Sequence, residues 1–223
     1  MKTHTHPYLL TKILTVFFVA SLACSNGDTV LGTDDNATGE VFNSTICCID
    51  TVNDSSFTAE EIESLYFMAE EEKLARDVYI ELFDTWGNKS FYNISKSEQQ
   101  HVLAVTTLLE KANQSVPSTL TNLGVFENQE LQNLYNELIE QGTASLVEAL
   151  KVGALVEEVD IQDLDLLRET IVSHPSIDQV YLSLREGSEN HLRAFVKNLG
   201  NQGVSYSPII LTEELYSEII SSN

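Results

Sequence analysis

The sequence predicts an all-α fold, a bundle of four long helices. Four segments carry apolar residues at alternating steps of three and four, the spacing that keeps residues on one face of an α-helix. Each apolar stripe is interrupted near its middle by carboxylate or imidazole side chains. Residues 113–142 separate the second stripe from the third. Because a connection of this length can run the length of a bundle, we expect the second and third long helices to be parallel.

The first long helix is predicted to begin near Thr58 and to end at Trp86 and Gly87. Glu60 and Glu61 fall in its first turn, where the helix dipole favours negative charge. The glycine is the residue type that most often follows a helix end. These signals define a helix long enough to span a bundle.

The later elements follow the same periodicity and the same end signals. Pro175 closes the third long helix, and Gly200 closes the fourth. The predicted bounds, in chain order, are a second helix that starts after Ser95 or Ser97 and stops before Pro117, a short helical run from Gln129 to Gln141, a third long helix from about Thr143 to Ser173, a fourth from about Ser176 to Leu199, and an amphipathic piece from Ile209 to Ile220. We expect the last piece to pack on the outside of the bundle.

The amino terminus is typical of an export signal. Residues 1–23 contain a short polar start followed by an apolar run, Ile13 to Ala23, that is too short to span a bilayer as a mature helix. Ser21 to Cys24 resembles the lipobox of bacterial lipoproteins, in which the cysteine becomes the lipidated first residue. This resemblance implies export and a lipid anchor at Cys24 in a bacterial cell envelope, with ordinary secretion as the alternative.

Residues 24–57 are interpreted as a flexible tether. They are rich in Asn, Asp, Ser, Thr and Gly and lack helical periodicity. The adjacent Cys47 and Cys48 leave a bridge to another chain, a free thiol pair or a soft-metal contact open. The predicted organisation is therefore a signal over 1–23, a tether over 24–57, a bundle over 58–200 and a tail over 201–223.

The charge excludes some partners. The chain has 34 acidic against 12 basic residues and a formal charge of −22. This balance argues against nucleic acid or an anionic membrane surface as an electrostatic partner, and it favours cations. Contact with a membrane is expected only through the lipid anchor. The sequence leaves homodimer formation open.

The polar interruptions of the four stripes form the candidate metal site. Ionised carboxylates do not lie in a dry core without compensation, and a pair of metal ions is a usual form of it. Four carboxylates and two divalent cations sum to zero charge. The alternative is a buried network of hydrogen bonds and ion pairs, with Arg76 neutralising a carboxylate one turn away. The predicted ligands are Glu72, Glu98, His101, Glu157, Asp160 and His191.

Two families share these motifs. The segment from Glu72 to Tyr79 resembles the first-helix motif of rubrerythrin-type ferritin-like proteins, and Glu98-x-x-His101 fits the same scheme. A closer resemblance links residues 58–200 to the ferritin-like family catalogued as domain of unknown function 2202. It is carried by four segments: Glu70 to Tyr79, Ser97 to His101, Ala149 to Leu164 and Gly187 to Phe195.

The resemblance implies a ferritin-like four-helix bundle with a di-metal site, and no established reaction. By the rubrerythrin pattern, ligand positions are taken by Glu72, Glu98, His101, Glu157 and His191, and Asp160 stands where that family has a further carboxylate. Ser188 departs from the pattern, because the fourth helix of the scheme carries a Glu there. Tyr79 and Tyr181 share the inward faces, either as core aromatics or as hydrogen-bond donors and redox relays near the site.

The expected cofactor is iron or manganese, and the ligand set also admits zinc. The expected activity is redox chemistry on oxygen or peroxide, as in a di-iron oxidoreductase of the oxidase or peroxidase type. Two alternatives remain open. One is a protein that sequesters or delivers metal without turnover, and the other is a bundle whose metal site has decayed, with Ser188 as the first sign.

Overall fold

A computed structural model describes residues 57–222, and these residues form an all-α bundle. The predicted export signal, most of the predicted tether and the three cysteines lie outside the described residues. The elements are α1 (Ala59–Trp86), α2 (Lys89–Lys111), a 3-10 turn (Ser118–Thr121), α3 (Gln129–Gly142), α4 (Leu146–Thr170), α5 (Pro175–Asn201) and α6 (Glu213–Ser221). The predicted all-α fold is confirmed. None of the described helices is long and apolar enough to cross a membrane.

Helix α1 has the predicted ends. The Glu61 N–H donates to the Thr58 hydroxyl at 3.1 Å, and the Thr58 N–H donates to the Glu61 carboxylate at 2.9 Å, which completes a capping box. At the other end Gly87 adopts a left-handed conformation with φ of 66°. This conformation strains residues with a Cβ atom, so the glycine stops the helix here.

Helix α2 begins earlier than predicted, at Lys89 instead of after Ser95 or Ser97. Asn88 caps it by accepting a hydrogen bond from the Ser90 N–H at 2.9 Å. Inside the helix, the Ser95 hydroxyl donates to a carbonyl one turn back, that of Tyr92, at 3.0 Å. A serine in this arrangement is compatible with a helix interior, so it marks no helix start.

The long helices have the predicted relative directions. Because only Gly87 and Asn88 separate α1 from α2, these two helices form an antiparallel hairpin. The Glu61 carboxylate accepts from the Ser173 N–H at 2.8 Å, and the Trp86 indole donates to the Gly142 carbonyl at 2.9 Å, so α1 and α4 are also antiparallel. Helices α2 and α4 are therefore parallel to each other, which confirms the role predicted for the long crossover.

Buried carboxylates of α1 hold the crossover in place. Glu70 accepts from the N–H groups of Glu127 and Asn128 at 2.6 and 2.8 Å, at the start of α3. Asp77 accepts from the N–H of Gly124 at 2.9 Å. The crossover thereby brings α3 against both α1 and α4.

The tail is anchored by another buried carboxylate, Glu158 of α4. It accepts from the Tyr206 hydroxyl at 2.5 Å. It also accepts from three successive backbone N–H groups, those of Ile209, Ile210 and Leu211, at 2.9, 2.8 and 2.9 Å. Helix α6 follows and packs on α5, the outer position expected for the tail.

Aromatic side chains fill the core on one side of the polar layer. The Tyr79 and Phe195 rings lie 5.2 Å apart, and Phe91 lies 5.5 Å from Phe195. Gly153 makes this packing possible, because a Cβ atom at that position would lie 2.5 Å from the Phe195 ring. The glycine in the third stripe is thus a requirement of close helix packing.

Candidate metal centre

Five of the six predicted ligands converge in the centre of the bundle. They form two overlapping groups able to hold a metal ion, and within each group the ligand atoms lie within 4.8 Å of one another. The first group is Glu72, Glu98 and His101, and the second is Glu98, Glu157 and His191. All five side chains are buried, and Glu98 belongs to both groups.

Glu98 lies between the two histidines. Its Oε2 is 2.7 Å from Nδ1 of His101, and its Oε1 is 2.7 Å from Nδ1 of His191. The two imidazole rings stack with their centroids 5.6 Å apart. Since the two oxygens of one carboxylate face two different imidazoles, Glu98 has the orientation of a ligand that bridges two ions.

The second carboxylate of each group comes from another helix. Glu72 of α1 has its Oε2 2.9 Å from Nδ1 of His101, and Glu157 of α4 has its Oε2 3.5 Å from Nδ1 of His191. The four long helices therefore each contribute at least one side chain. This follows from the sequence, because each polar residue interrupts an apolar stripe near the middle of a helix of similar length.

Asp160, the sixth predicted ligand, belongs to neither group. The Ser188 hydroxyl, fully buried on α5, donates a hydrogen bond to its Oδ2. Its Oδ1 is buried and has no hydrogen-bond partner among the described residues. Burial raises the pKa of Asp160 well above its usual value, and the nearby Glu72 and Glu157 carboxylates raise it further. Because Asp160 is near these two residues, it lies at the edge of the same layer.

Arg76 does not neutralise this layer. Its guanidinium donates to Asp77 at 2.7 Å, to the Gln99 side chain at 2.7 Å and to the Leu120 carbonyl at 2.9 Å. Lys73, also buried, pairs with Asp77 as well. The alternative of a purely structural network assumed that Arg76 neutralises a carboxylate of this layer. That assumption is wrong, because Arg76 pairs with Asp77 instead.

The two histidines carry the compensating charge when protons alone are present. Burial lowers the pKa of His191, but Glu98 and Glu157 raise it more, to about 10. Burial raises the pKa of Glu72 to about 7, against the opposing effect of His101. Burial also raises the pKa of Glu98, but His191 and His101 hold it well below its usual value. Protonated imidazoles thus supply the positive charge that a cation would supply.

Most of the buried carboxylates of the described residues are of two kinds. One kind accepts backbone N–H groups of loops, and Glu61, Glu70, Asp77 and Glu158 are of this kind. The other kind forms the central layer, where Glu72 Oε1 and Asp160 Oδ1 lack a hydrogen-bond partner among residues 57–222. A buried carboxylate oxygen without a donor is costly, and coordination to a cation removes that cost. The donor set of carboxylates and imidazoles fits a metal pair.

Sequence reasoning missed a neighbouring acidic pair, Glu71 and Asp163. Burial first, and then the carboxylates of Asp163 and Asp160, raise the pKa of Glu71 well above its usual value. The signal was present in α4, where Glu157, Asp160 and Asp163 follow at steps of three. Asp163 continues the acidic face by one turn beyond the predicted ligands.

The two tyrosines that the sequence placed on inward faces have different partners. The Tyr79 hydroxyl donates to Glu157 Oε1 at 2.5 Å, so it supports a carboxylate of the layer. The Tyr181 hydroxyl is 2.9 Å from the Ser64 hydroxyl and lies nearer the amino end of α1. Of these two contacts, the one made by Tyr79 reaches a predicted ligand.

Fold and site together define an all-α bundle protein with buried groups of glutamate and histidine that could hold metal. The chain belongs to the family described as uncharacterized protein domain DUF2202, whose model matches residues 61–223. It is 48% identical over 165 residues to the uncharacterized protein MJ0754 of Methanocaldococcus jannaschii, covering 74% of this chain and 88% of that protein. The crystal structure of hypothetical protein MJ0754 from Methanococcus jannaschii matches with a TM-score of 0.75 and 45% identity, over 78% of this chain and 98% of that chain.

Proposed function

We propose that this protein binds two metal ions in the central layer, with Glu98 bridging them. One ion is held by Glu72, Glu98 and His101, and the other by Glu98, Glu157 and His191. The observation that carries this proposal is the position of Glu98, whose two oxygens lie 2.7 Å from two different imidazole nitrogens. It is supported by the contacts of Lys73 and Arg76, the two buried cations of α1, which both pair with Asp77.

Asp160 completes the site in place of the glutamate that Ser188 replaces. The hydrogen bond from Ser188 restrains Oδ2 and leaves Oδ1 available at the edge of the layer. The carboxylate thus comes from α4, one turn after Glu157, instead of from α5. This arrangement argues against a decayed site, because loss of the glutamate is matched by a buried carboxylate with a free oxygen.

The proposed metal is iron or manganese, since carboxylate and imidazole ligands suit these ions, although zinc accepts the same ligands. A bound iron or manganese pair would supply redox chemistry on oxygen or peroxide. The protein residues orient the ligands and exclude water. Tyr79 fixes the Glu157 carboxylate through its hydroxyl. The bundle would then be ferritin-like in the broad sense, with a di-metal site between its four long helices.

A metal-sequestering protein is the second candidate. The formal charge of −22 raises the local concentration of cations at the surface, and the ligands are buried. Such a protein would hold its metal without turnover. The two functions share one site and differ in what happens after loading.

The test begins with untagged protein loaded with Fe(II) without oxygen and analysed for metal. We expect about two equivalents per chain in wild type, as a bridged pair requires. The loaded protein is then exposed to repeated additions of oxygen or peroxide. Repeated consumption supports the redox function, whereas stable loading without consumption supports sequestration. Failure to take up iron, manganese or zinc refutes both.

We also propose that the chain is exported and held by a lipid at Cys24. This residue lies outside the described residues, so the proposal depends on the signal-like segment that precedes it. Mass spectrometry of the envelope fraction should find an acylated Cys24 as the first residue. An intact Met1, or an unmodified Cys24, contradicts the anchor.

A further inference from the structure

We propose that a small apolar cavity beneath the crossover helix α3 binds dioxygen beside the metal layer. The role of the cavity in supplying an oxidant rests on the proposed function. The binding of the gas is a separate property of the cavity and is tested separately.

The cavity lies where α3 covers the groove between α1 and α4. Its walls are aliphatic side chains from all three helices, among them Ala75, Leu138 and Val159. Two carboxylates, those of Glu71 and Asp160, complete the lining. The cavity thus reaches from the crossover helix to Asp160, at the edge of the layer.

Its size and walls select the ligand. The volume is about 10 Å³, room for roughly one water-sized molecule. Although two carboxylates belong to the lining, the accessible wall is almost entirely apolar, and cavities with apolar walls stay dry and take up apolar gases. Peroxide or a hydrated cation would have to give up hydrogen bonds to water along these walls, whereas dioxygen has none to lose. The cavity therefore favours a small apolar molecule.

The position of the cavity would place bound dioxygen close to the metal layer. Asp160 is held by Ser188 of α5 and lies one turn after Glu157, a residue of the second metal group. Glu71 directly precedes Glu72 of the first group. A molecule in the cavity therefore lies beside Asp160, at the edge of the layer. The binding is non-covalent, and no bond forms or breaks in the cavity.

The experiment uses crystals of the full chain pressurised with krypton, an apolar atom detectable by its anomalous scattering. We expect krypton in the wild-type cavity and higher occupancy in Leu138→Ala, which enlarges it. Ala75→Val, which fills the cavity with two methyl groups, should show none there. Leu109→Ala is the matched control, since Leu109 is buried on α2 and does not line the cavity. Absence of krypton from the wild-type cavity, or equal occupancy in Ala75→Val, overturns the proposal.

The second measurement compares oxidants in iron-loaded protein. Ala75→Val should lower the rate of oxidation by dioxygen several-fold and leave oxidation by peroxide and iron stoichiometry unchanged. Leu109→Ala should change neither the rate of oxidation by dioxygen nor the rate of oxidation by peroxide. An equal fall with both oxidants overturns the supply role. If the protein binds no metal but krypton occupies the cavity, the proposed function fails and the gas site stands. If metal binds and krypton does not, only this inference fails.

Discussion

Replacing Glu98 with Gln should abolish the stabilisation of this protein by divalent metal ions. The substitution keeps the shape of the side chain and removes the charge that lies between His101 and His191. At a free metal concentration one hundred times the Kd, an occupied site stabilises the folded state by about 2.7 kcal/mol. For a domain of this size, that corresponds to a rise in Tm of about 5–10 °C per site.

The assay is thermal unfolding followed by circular dichroism, with chelator and then with excess Mn(II). Both forms of each variant must be compared, because Glu98→Gln also removes the partner of two buried imidazoles. Breaking a buried pair costs about 3–5 kcal/mol. The metal-free variant should therefore melt lower than wild type, and the diagnostic quantity is the shift on adding metal.

Glu158→Gln is the matched control. Its carboxylate is equally buried, but its partners are the Tyr206 hydroxyl and backbone N–H groups near Ile210. We expect this variant to lose stability and to keep the wild-type shift with metal. The reasoning is refuted if Glu98→Gln keeps the shift, or if Glu158→Gln loses it to the same extent.

Three further predictions test the surroundings of the site. Ser188→Ala should weaken metal binding, measured by calorimetry, because Asp160 loses its hydrogen bond; Ser188→Thr should restore it, and equal affinity in all three proteins would contradict the positioning role. The metal-free protein should lose on the order of a few kcal/mol of stability between pH 6.5 and pH 10. The reason is that folding raises the pKa of His191 to about 10. The resulting stabilisation is fully present below the pKa of the unfolded state and is lost as the pH rises through the pKa of the folded state. Urea unfolding in chelator at both ends of this range checks it, and a flat profile would oppose it. Cys24→Ser should release the protein from the envelope into the soluble fraction, as immunoblotting of fractions would show.

The positions of the five converging side chains were predictable because they depend on local periodicity. Glu72, Glu98, His101, Glu157 and His191 each interrupt an apolar stripe, and the stripe fixes which face of a helix is buried. Helices of similar length, packed antiparallel, bring their middles to one level. The direction of the helices was predictable for a similar reason, since the length of the crossover limits how the chain returns.

The start of α2 was harder to predict, because several polar residues there are able to cap a helix. Asn88, Ser95 and Ser97 are all acceptable caps in the sequence. The choice between them depends on whether Phe91 and Ile94 find a core to pack against, and both are buried. Local capping energies differ by less than the free energy of burying two apolar side chains.

By itself, the sequence determined the helical stripes, the chemical kind of the site and the residues that could supply it. Only the tertiary structure decided how the charges pair. Arg76 bonds Asp77 and Gln99 instead of the central layer, and Ser188 holds Asp160. The physical reason is range: helical periodicity is set by neighbours three and four residues away, whereas a buried charge is stabilised by whichever donor the folded chain brings within hydrogen-bond distance.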